Sequence, residues 1–430
     1  MTITFIGHSY VGLVTSCVFA DFGNKVWVIG HTPEKINQLK KGSPLIYEPG
    51  LKELLEKNLK AKRIEFTLSY QDAIPMSDIV FIAVGTPPKE NGEADLKTIY
   101  QVAGNISRYL KQGLTIISCK STVPVGTNLK VKKFIEQKKL SEAEIEVASC
   151  PEFLREGSGL ADSLNPDRIV IGSNSKSAID LLLELHDPLP GKRIVTDLAS
   201  AELIKYASNA ILATKISFAN LISFYCERTG ADVETVLEAV GLDRRIGRSF
   251  LYPGVGYGGS CLPKDVKAII KAGHRLSIDS SLFEAVEKIN LQSHHNLLDK
   301  IYRFSPNGRI SIWGLSFKQD TDDIRESPSV NIIKSLLDKK YRISVYDPKA
   351  INNIKKLFGK KIDYFNDPYA VVHDTDCLCI LTEWNEFKQI NLKKVKLLMK
   401  KPLVIDGRNI YKPEIVKKLG FIYISTGRKI

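Results

Sequence analysis

The sequence predicts an α/β protein in which two doubly wound parallel sheets are joined by a long central helix. Three observations lead to this class. Short β-branched strands alternate with helical stretches in the first half, a long helical stretch follows Asp197, and a second alternating unit begins near Arg309. Strand–helix–strand alternation is typical of parallel sheets, because each helix carries the chain back before the next strand begins. The predicted domains are residues 1–198, 199–300 and 301–430.

The first unit begins with strands predicted at 3–6 and 25–29, separated by a helix from about Val11 to Phe22. Further strands are expected at 78–84, 114–119 and 145–148, because each is a short run rich in β-branched residues. Ligands of doubly wound sheets bind at the carboxyl ends of the strands. We therefore expect the functional residues of this unit to follow its strands.

The central helix is predicted over Ala199 to Glu227, a stretch that lacks Gly and Pro and has a helical period. It is long enough to bridge two domains. In the second alternating unit, strands are predicted at 309–315, 342–346, 376–381 and 403–405. Ser327 before Pro328 predicts a helix start, with serine as the N-cap and proline at the first helical position.

Composition indicates a soluble globular chain: of 430 residues, 43% are hydrophobic and 25% are charged. No apolar run approaches a membrane span, and the N-terminus lacks a basic leader and a cleavage site. The seven cysteines are scattered without a C-x-x-C pair, which argues against structural zinc and against a disulfide scaffold. We therefore expect a cytoplasmic protein with no membrane partner and no metal site.

The net charge of +13 raises the question of nucleic acid. Much of the excess is lysine spread along presumed helix faces and the C-terminal part, and basic residues do not interleave with aromatic ones. We therefore expect a solvated basic surface and an anionic small substrate, with no nucleic-acid partner.

The loop from Gly7 to Gly12 follows a strand and opens a helix, which is the context of a dinucleotide-binding loop. Gly7 permits the tight turn, Gly12 permits close helix packing, and Tyr10 and Val11 begin the helix whose amides face a pyrophosphate. The middle glycine of the pattern is Ser9 here. This loop, together with the strand–helix alternation in both units, predicts that the two sheet units are Rossmann-like.

Gly30 stands at the end of the second strand, where NAD enzymes usually carry an acid that binds the ribose. Its absence removes the repulsion against a 2′-phosphate, to which His31, Thr32 and Lys35 could donate. One hypothesis is therefore relaxed specificity or a preference for NADP. The alternative is weakened NAD binding with no gain for NADP.

The segment from Gly254 to Asp265 is the most informative for chemistry. Glycines before Cys261 let the backbone wrap closely around a ligand and present the thiol at a loop tip. Lys264 and Asp265 add a cation, which favours the thiolate, and a base. A flexible loop with an incidental cysteine is the alternative.

Two further clusters carry charged side chains. Glu152 and Glu156 would share a face if their segment is helical, so that one accepts a proton while the other orients a water. Lys205 and Asn209 share a face of the central helix among apolar neighbours. Capping or interdomain contacts are the alternative explanation for both pairs.

These segments resemble the UDP-glucose/GDP-mannose dehydrogenase family over nearly the whole chain. The resemblance includes residues 46–50, 84–87, 121–127 and 314–318. It implies a four-electron oxidation of UDP-glucose to UDP-glucuronate with two NAD or NADP, through a thiohemiacetal and a thioester on Cys261. It also implies a homodimer, formed through the central helix, with Arg245 reaching into the neighbouring subunit's site. The chain departs from the family at Gly30 and at Cys150, where Asn is usual.

The resemblance also implies roles for individual residues. Lys205 would stabilise the oxyanion, Asn209 would hold the reacting oxygen, and Asp265 would assist proton transfer, with Glu156 and Thr122 placing water. The implied cofactor-binding residues are Gly7, Tyr10, Val11, Gly12, Gly30, Lys35, Thr86, Thr122, Glu156, Lys264 and Arg325. The implied substrate-binding residues are Glu152, Phe153, Leu154, Arg155, Glu156, Lys205, Asn209, Arg245, Phe250, Leu251, Tyr252, Pro253, Gly254, Gly258, Lys318 and Arg408.

Three other functions compete with this one. The substrate could be another nucleotide sugar, a UDP-N-acetylhexosamine or GDP-mannose. Ser9 and Gly30 suggest a nucleotide-sugar-binding protein without turnover, against which the retained Cys261, Lys205 and Asp265 argue. A two-electron hydroxyacid dehydrogenase could share the first unit's fold, but it would have no use for Cys261.

Overall fold

The computed structural model describes residues 1–429, which form two units that meet in sequence at Ser208 and Asn209. The first unit contains an eight-stranded sheet in the order β3-β2-β1-β4-β5-β6-β7-β8. Its strands are β1 (Thr2–Ile6), β2 (Lys25–Ile29), β3 (Ile64–Thr67), β4 (Ile79–Ile82), β5 (Leu114–Cys119), β6 (Glu144–Ser149), β7 (Arg168–Gly172) and β8 (Lys192–Thr196).

Helices cover both faces of this sheet, as the predicted fold class requires. They are α1 (Tyr10–Asp21), α2 (Pro33–Lys40), α3 (Leu51–Lys60), α4 (Tyr70–Ala73), α5 (Lys97–Ile106), α6 (Thr127–Lys138), α7 (Gly159–Leu164) and α8 (Lys176–His186), with a 3-10 turn at Ile74–Met76. Phe5 and Phe81 stack with ring centroids 4.8 Å apart and pack against Phe19 of α1 on one face. Because both faces are covered, the central strand β4 is buried throughout.

Strands β1 to β6 pair in parallel, whereas β6 and β7 pair antiparallel. The two strands overlap at their carboxyl ends, through Ser149 and Gly172. The segment 150–167 between them is largely irregular and contains the short α7, which lies against α1. A parallel return needs a crossover along a face of the sheet, and this segment does not make one. The prediction of a parallel sheet therefore holds for six strands, and β7 reverses it.

The long helix α9 (Leu198–Thr229) crosses from the first unit into the second and confirms the predicted central helix. The remaining helices are α10 (Val233–Leu242), α11 (Leu262–Arg275), α12 (Ser281–Phe304), α13 (Pro328–Asp338), α14 (Ile351–Phe358), α15 (Asn385–Lys388), α16 (Leu392–Leu398) and α17 (Pro413–Lys418), with a 3-10 turn at Ala370–Val372. None of the helices in residues 1–429 is long and apolar enough to cross a membrane.

The second sheet has six parallel strands in the order β11-β10-β9-β12-β13-β14. They are β9 (Arg309–Trp313), β10 (Arg342–Tyr346), β11 (Asp363–Tyr364), β12 (Cys377–Ile380), β13 (Leu403–Asp406) and β14 (Ile422–Ser425). Helix α13 begins at Pro328 after Ser327, as predicted, but the Ser327 hydroxyl donates to the carbonyl of Leu315 rather than capping the helix. The division into three domains stays a prediction.

Each sheet has one place where the strand order reverses. In the first sheet the chain runs outward from β1 through β2 and β3 and returns to β4 on the other side. In the second sheet the same reversal lies between β9 and β12. Loops diverge at such a point and leave a crevice at the carboxyl ends of the strands, which is where ligands bind.

Candidate active site

The crevice of the first sheet is built around Gly7 and Gly12. Gly7 has a φ of 120°, and its amide donates to the carbonyl of Ile29 at 3.0 Å. A Cβ atom on Gly7 would lie 2.3 Å from the carbonyl oxygen of Ala83, and one on Gly12 would lie 2.0 Å from that of Gly7. Only glycine fits either position. The loop therefore turns tightly into the N-terminus of α1, where a pyrophosphate would meet free amides and the positive end of the helix dipole.

The loops after β4 and β5 form the other side of this crevice. The hydroxyl of Thr86 donates to the carbonyl of Thr122 at 2.9 Å, and that of Ser121 donates to the carbonyl of Val84 at 2.6 Å. Thr86 is buried and Thr122 is partly exposed. Both threonines thus lie at the carboxyl edge of the sheet, and their role in cofactor binding stays a prediction.

The space beside Gly30, at the end of β2, is not empty. A Cβ atom on Gly30 would lie 2.4 Å from Ile36 Cδ1 and 2.9 Å from His8 Nδ1, so two side chains occupy the space of the absent acid. His31 and Lys35 are exposed nearby. Burial, together with the charges of His31 and Lys35, lowers the pKa of His8 to about 4. Sequence reasoning missed His8, because its position in the phosphate loop gave no sign that it would reach Gly30.

Glu48 was also missed as a positioning residue, although the resembling segment 46–50 contains it. Its buried carboxylate accepts from the hydroxyl of Tyr10 and from the amides of Gly157 (2.8 Å) and Leu160 (3.1 Å). The Tyr10 hydroxyl also lies 3.0 Å from the carbonyl oxygen of Arg155. These contacts fix the segment after Glu156 to the start of α1. Tyr10 therefore serves as an anchor of this loop as well as a neighbour of the cofactor crevice.

The condition for pairing Glu152 with Glu156 on a helical face is not met, because residues 150–155 form no helix. Instead, this segment is irregular, and the carboxylate of Glu152 accepts a hydrogen bond from the amide of Leu154, with an Oε2–N distance of 2.6 Å. Exposed Arg155 pairs with Asp162, with an Nη2–Oδ1 distance of 2.6 Å. The two carboxylates therefore do not share a helical face, and the division of roles between them stays a prediction.

Lys205 lies in a fixed environment within the first unit. Its ammonium is 3.6 Å from Glu152 Oε1 and 5.2 Å from the ring centroid of Phe153, and both charged side chains are buried. One helical turn earlier, Glu202 accepts from the amides of Gly126 (2.5 Å) and Asn128 (2.9 Å) and so caps α6. Glu202 pins the start of α9 and thereby sets the position of Lys205, a role that the sequence pattern did not reveal.

In the second unit, Cys261 immediately precedes α11, whose first turn contains Lys264 and Asp265. Asp265 is buried, and its carboxylate accepts from Asn209 Nδ2 at 2.6 Å and from Lys264 Nζ at 2.5 Å. The six other cysteines are buried, whereas Cys261 is partly exposed. Four of the predicted site residues, Asn209, Cys261, Lys264 and Asp265, therefore come together at one helix N-terminus.

The segment from Phe250 to Gly259 has no regular structure and is held by side chains of two helices. The amide of Gly254 donates to Asn220 Oδ1 at 2.7 Å, and the amide of Tyr257 donates to Asn290 Oδ1 at 2.7 Å. Phe250 has a φ of 66°, which is unusual for a residue with a bulky side chain. Such backbone strain is typical of functional loops. Leu251, Pro253, Gly254 and Gly258 are buried, and Tyr252 is exposed.

This segment packs onto the crevice of the second sheet. A Cβ atom on Gly258 would lie 2.2 Å from the carbonyl oxygen of Glu326, and one on Gly254 would lie 3.0 Å from that of Gly407. Arg408 donates from Nε to the carbonyl of Leu381 (2.8 Å) and from Nη2 to that of Phe317 (3.2 Å). Lys318 follows in the loop after β9. The predicted substrate residues 250–258, Lys318 and Arg408 thus share one crevice.

Two predicted arginines lie outside these clusters. Arg245 has 88% of its side chain exposed and pairs with Asp243, with an Nη2–Oδ2 distance of 2.6 Å. Arg325 is exposed and pairs with Asp323, although its carbonyl accepts from the amide of Gly259 at 3.0 Å. Each guanidinium is thus bound by an aspartate two residues earlier in the chain. No group of His, Cys, Asp and Glu within residues 1–429 has the arrangement of a metal site.

Models of the UDP-glucose/GDP-mannose dehydrogenase family match three consecutive stretches of the chain. The NAD binding domain matches residues 1–190, the central domain matches residues 199–292, and the UDP binding domain matches residues 311–413. The three matches thus follow the same order as the first sheet, the middle helices and the second sheet.

Individual relatives are similar over most or all of their length. The chain is 46% identical over 429 residues to UDP-glucose 6-dehydrogenase TuaD of Bacillus subtilis, covering 99% of this chain and 93% of the relative. It is 42% identical to a UDP-glucose 6-dehydrogenase of Rhizobium meliloti, with 100% of both chains covered.

Solved structures are similar as well. A UDP-glucose dehydrogenase from the archaeon Pyrobaculum islandicum has a TM-score of 0.93 and 35% identity, over 100% of this chain and 98% of that one. A UDP-D-ManNAc dehydrogenase from Pyrococcus horikoshii has a TM-score of 0.88 and 26% identity, over 100% of this chain and 99% of that one.

Proposed function

The chain belongs to the UDP-glucose/GDP-mannose dehydrogenase family, and from that premise we propose that it oxidises UDP-glucose to UDP-glucuronate in a four-electron reaction. The observation that carries the chemistry is the position of Cys261, a partly exposed residue at the start of α11, one turn before the buried carboxylate of Asp265. Relatives at 46% and 42% identity that carry the name UDP-glucose 6-dehydrogenase support this choice of substrate.

The reaction balances as RCH2OH + 2 NAD⁺ + H2O → RCOO⁻ + 2 NADH + 3 H⁺. When bound, NAD supplies the acceptor for hydride in each of the two oxidations. After the first oxidation the Cys261 sulfur adds to the aldehyde carbon and gives a thiohemiacetal, which the second oxidation converts to a thioester. Water then breaks the C–S bond, releasing the carboxylate and restoring the thiol. Covalent capture keeps the aldehyde from escaping between the two oxidations.

The surrounding side chains have distinct roles in this proposal. The N-terminal amides of α11 and the ammonium of Lys264 favour negative charge on the Cys261 sulfur. Asp265, held by Asn209 and Lys264, accepts and returns a proton. Lys205 stabilises the oxyanion on the reacting carbon, and Asn209 holds the reacting oxygen. Glu156 and Thr122 orient the water that hydrolyses the thioester.

NAD is the cofactor of this family's N-terminal domain, and the residues present fit a dinucleotide. The cradle left open by Gly7 and Gly12 at the start of α1 suits the pyrophosphate. Use of NADP in addition is a finer proposal. Gly30 leaves no carboxylate to repel a 2′-phosphate, and His31 and Lys35 are exposed beside it.

We also propose a homodimer in the cytoplasm, where nucleotide sugars are made. Within α9, Ile211, Phe218 and Tyr225 are spaced seven residues apart and are 56%, 44% and 63% exposed. Seven-residue spacing places them along one face, as in helices that pair side by side. Arg245 is 88% exposed, and to reach a partner's site its guanidinium would exchange its pairing with Asp243 for the new contact.

The substrate is tested by turnover with purified protein and NAD on four sugars: UDP-glucose, UDP-N-acetylglucosamine, UDP-N-acetylmannosamine and GDP-mannose. We expect the highest kcat/KM with UDP-glucose, by at least about ten-fold, since contacts that reject an N-acetyl group or another base are worth a few kcal/mol. A higher kcat/KM with an N-acetylated sugar would move the chain to the other branch of the family. Tight binding without reduction of NAD would support a binding protein instead.

A further inference from the structure

The end of β2 lacks the acid that binds the adenosine ribose in NAD enzymes, yet the space is filled. A Cβ atom on Gly30 would lie 2.9 Å from His8 Nδ1, so this nitrogen is close to the place where the acid's side chain would begin. Ile36 Cδ1 lies in the same space, at 2.4 Å from that Cβ position. Ile36 is itself buried, and its Cγ1 lies 2.8 Å from the same position.

The side chain of His8 has a buried nitrogen without a hydrogen-bond partner at this place. The residue is only 6% exposed, and among residues 1–429 its Nδ1 has no hydrogen-bond partner. Buried polar atoms in native proteins nearly always have a partner, because an orphaned one has lost its contacts with water. A buried nitrogen without a partner, at the edge of a dinucleotide crevice, points to a ligand atom.

The charges around His8 determine which kind of group can form a hydrogen bond with its Nδ1. The ring of His31 lies with its centroid 5.2 Å from that of His8, and Lys35 is close enough to disfavour a proton on His8. Burial acts in the same direction, and together they hold the pKa of His8 at about 4. The imidazole is therefore neutral near pH 7. With its proton on Nε2, Nδ1 is a hydrogen-bond acceptor, as a carboxylate oxygen would be.

We propose that His8 takes the place of the missing acid and that its Nδ1 accepts a hydrogen bond from the 2′-hydroxyl of the adenosine ribose. This inference rests on the proposed nicotinamide-dependent function. The phosphate of NADP has no hydroxyl at that position, so it gains nothing from this acceptor. Exposed His31 and Lys35 would hold the phosphate instead. The two cofactors thus depend on different residues of one small cluster.

Binding of the reduced cofactors is measured without sugar, by the change in nicotinamide fluorescence or by calorimetry, so that the readout does not depend on turnover. The matched pair is His8→Asn and His8→Leu, which have nearly the same shape and differ in hydrogen bonding. We expect His8→Leu to bind NADH about 3- to 10-fold more weakly than the unchanged protein, the value of one neutral hydrogen bond. We expect His8→Asn to stay within about 3-fold, and NADPH binding to be unchanged in both.

Lys271→Met, on the exposed face of α11, is the control and should leave both affinities unchanged. His31→Ala should lower the affinity for NADPH. Melting temperatures of all variants separate lost binding from lost folding. Equal NADH affinities for the Asn and Leu variants would overturn the role of His8, as would equal losses for NADH and NADPH. Failure of the unchanged protein to bind either dinucleotide would instead contradict the proposed function.

Discussion

At the scale of single residues, the buried pair of Lys205 and Glu152 links stability to chemistry. The ammonium and carboxylate are 3.6 Å apart with little exposure to solvent, so each charge is balanced by the other. Removing one partner of such a pair leaves an uncompensated buried charge, which is costly. A residue that stabilises an oxyanion needs this kind of fixed position, because a preorganised charge does not have to rearrange during the reaction.

The Lys205→Met variant tests this role. We expect kcat to fall about 10²- to 10³-fold through loss of oxyanion stabilisation, and the protein to lose about 3–5 kcal/mol of stability because Glu152 is left unpaired. The double variant Lys205→Met with Glu152→Gln removes both charges, so its melting temperature should recover while its kcat stays low. Lys271→Met, on the exposed face of α11, is the control. Recovery of turnover in the double variant would contradict a direct role for Lys205.

At the scale of elements, two asparagines hold the irregular loop that leads to Cys261. Asn220 of α9 accepts from Gly254, and Asn290 of α12 both accepts from and donates to the backbone of Tyr257. A loop without regular hydrogen bonds needs side chains to satisfy its buried backbone groups. Helices α9 and α12 therefore set the shape of the predicted substrate segment from Phe250 to Gly258.

The Asn290→Ala variant should loosen this segment. It leaves the amide and carbonyl of Tyr257 without partners, at a cost of about 1–3 kcal/mol, and we expect KM for UDP-glucose to rise about ten-fold with a smaller change in kcat. Initial rates over a range of UDP-glucose concentrations give both constants. Gln292→Ala, on an exposed position of the same helix, should leave both unchanged. An unchanged KM in Asn290→Ala would show that the loop keeps its shape without the side chain.

The dimer proposal rests on the exposed apolar side chains along one face of α9. A charge at Phe218, in the middle of the row with Ile211 and Tyr225, should separate the subunits, because a buried unpaired carboxylate costs more than a helix interface can offset. We expect Phe218→Glu to be monomeric by light scattering where the unchanged protein is dimeric. Leu397→Glu alters an exposed leucine of α16 and should remain dimeric. A monomeric unchanged protein would contradict the proposal.

The sequence patterns predicted the positions of strands better than the contacts between residues distant in sequence. The strands β2, β5 and β10 match the predicted ranges, since short β-branched runs mark buried strands whatever their partners. The reversal at β7 was not anticipated, because periodicity carries no information about strand direction. His8, Glu48 and Glu202 were missed for a related reason. Each acts on residues far away in sequence, and no local pattern encodes such a contact.

At the scale of the whole molecule, two sheets of similar design are used differently. Gly7 and Gly314 follow the first strand of each sheet, and each donates its amide to the last residue of the next strand, Ile29 or Tyr346. The following residue is Gly30 in the first sheet and Asp347 in the second. The carboxylate of Asp347 accepts hydrogen bonds from the amides of Leu315 and Ser316 and from Trp384 Nε1, among others. Its hydrogen-bonding capacity is therefore used by donors of the same unit.

This difference explains why a shared architecture does not imply a shared ligand. In the second sheet, Asp347 stands at the position that matches Gly30, but its carboxylate is bound by donors of the protein. Its crevice is lined instead by Lys318, Arg408 and the 250–258 segment, which suits an anionic substrate. In the first sheet the acid is absent and His8 has an orphaned nitrogen. The matches to an NAD binding domain and a UDP binding domain follow the same division.

In the proposed reaction, one molecule of UDP-glucose is oxidised twice, with a covalent bond to Cys261 between the two oxidations. The most direct measurement is the amount of NADH formed per UDP-glucose when the sugar is limiting, in the unchanged protein and in Cys261→Ser. We predict two equivalents for the unchanged protein. We predict that Cys261→Ser, lacking the thiol that captures the aldehyde, makes at least about 10³-fold less UDP-glucuronate per unit time. One equivalent of NADH per sugar, or full activity in Cys261→Ser, would contradict the account.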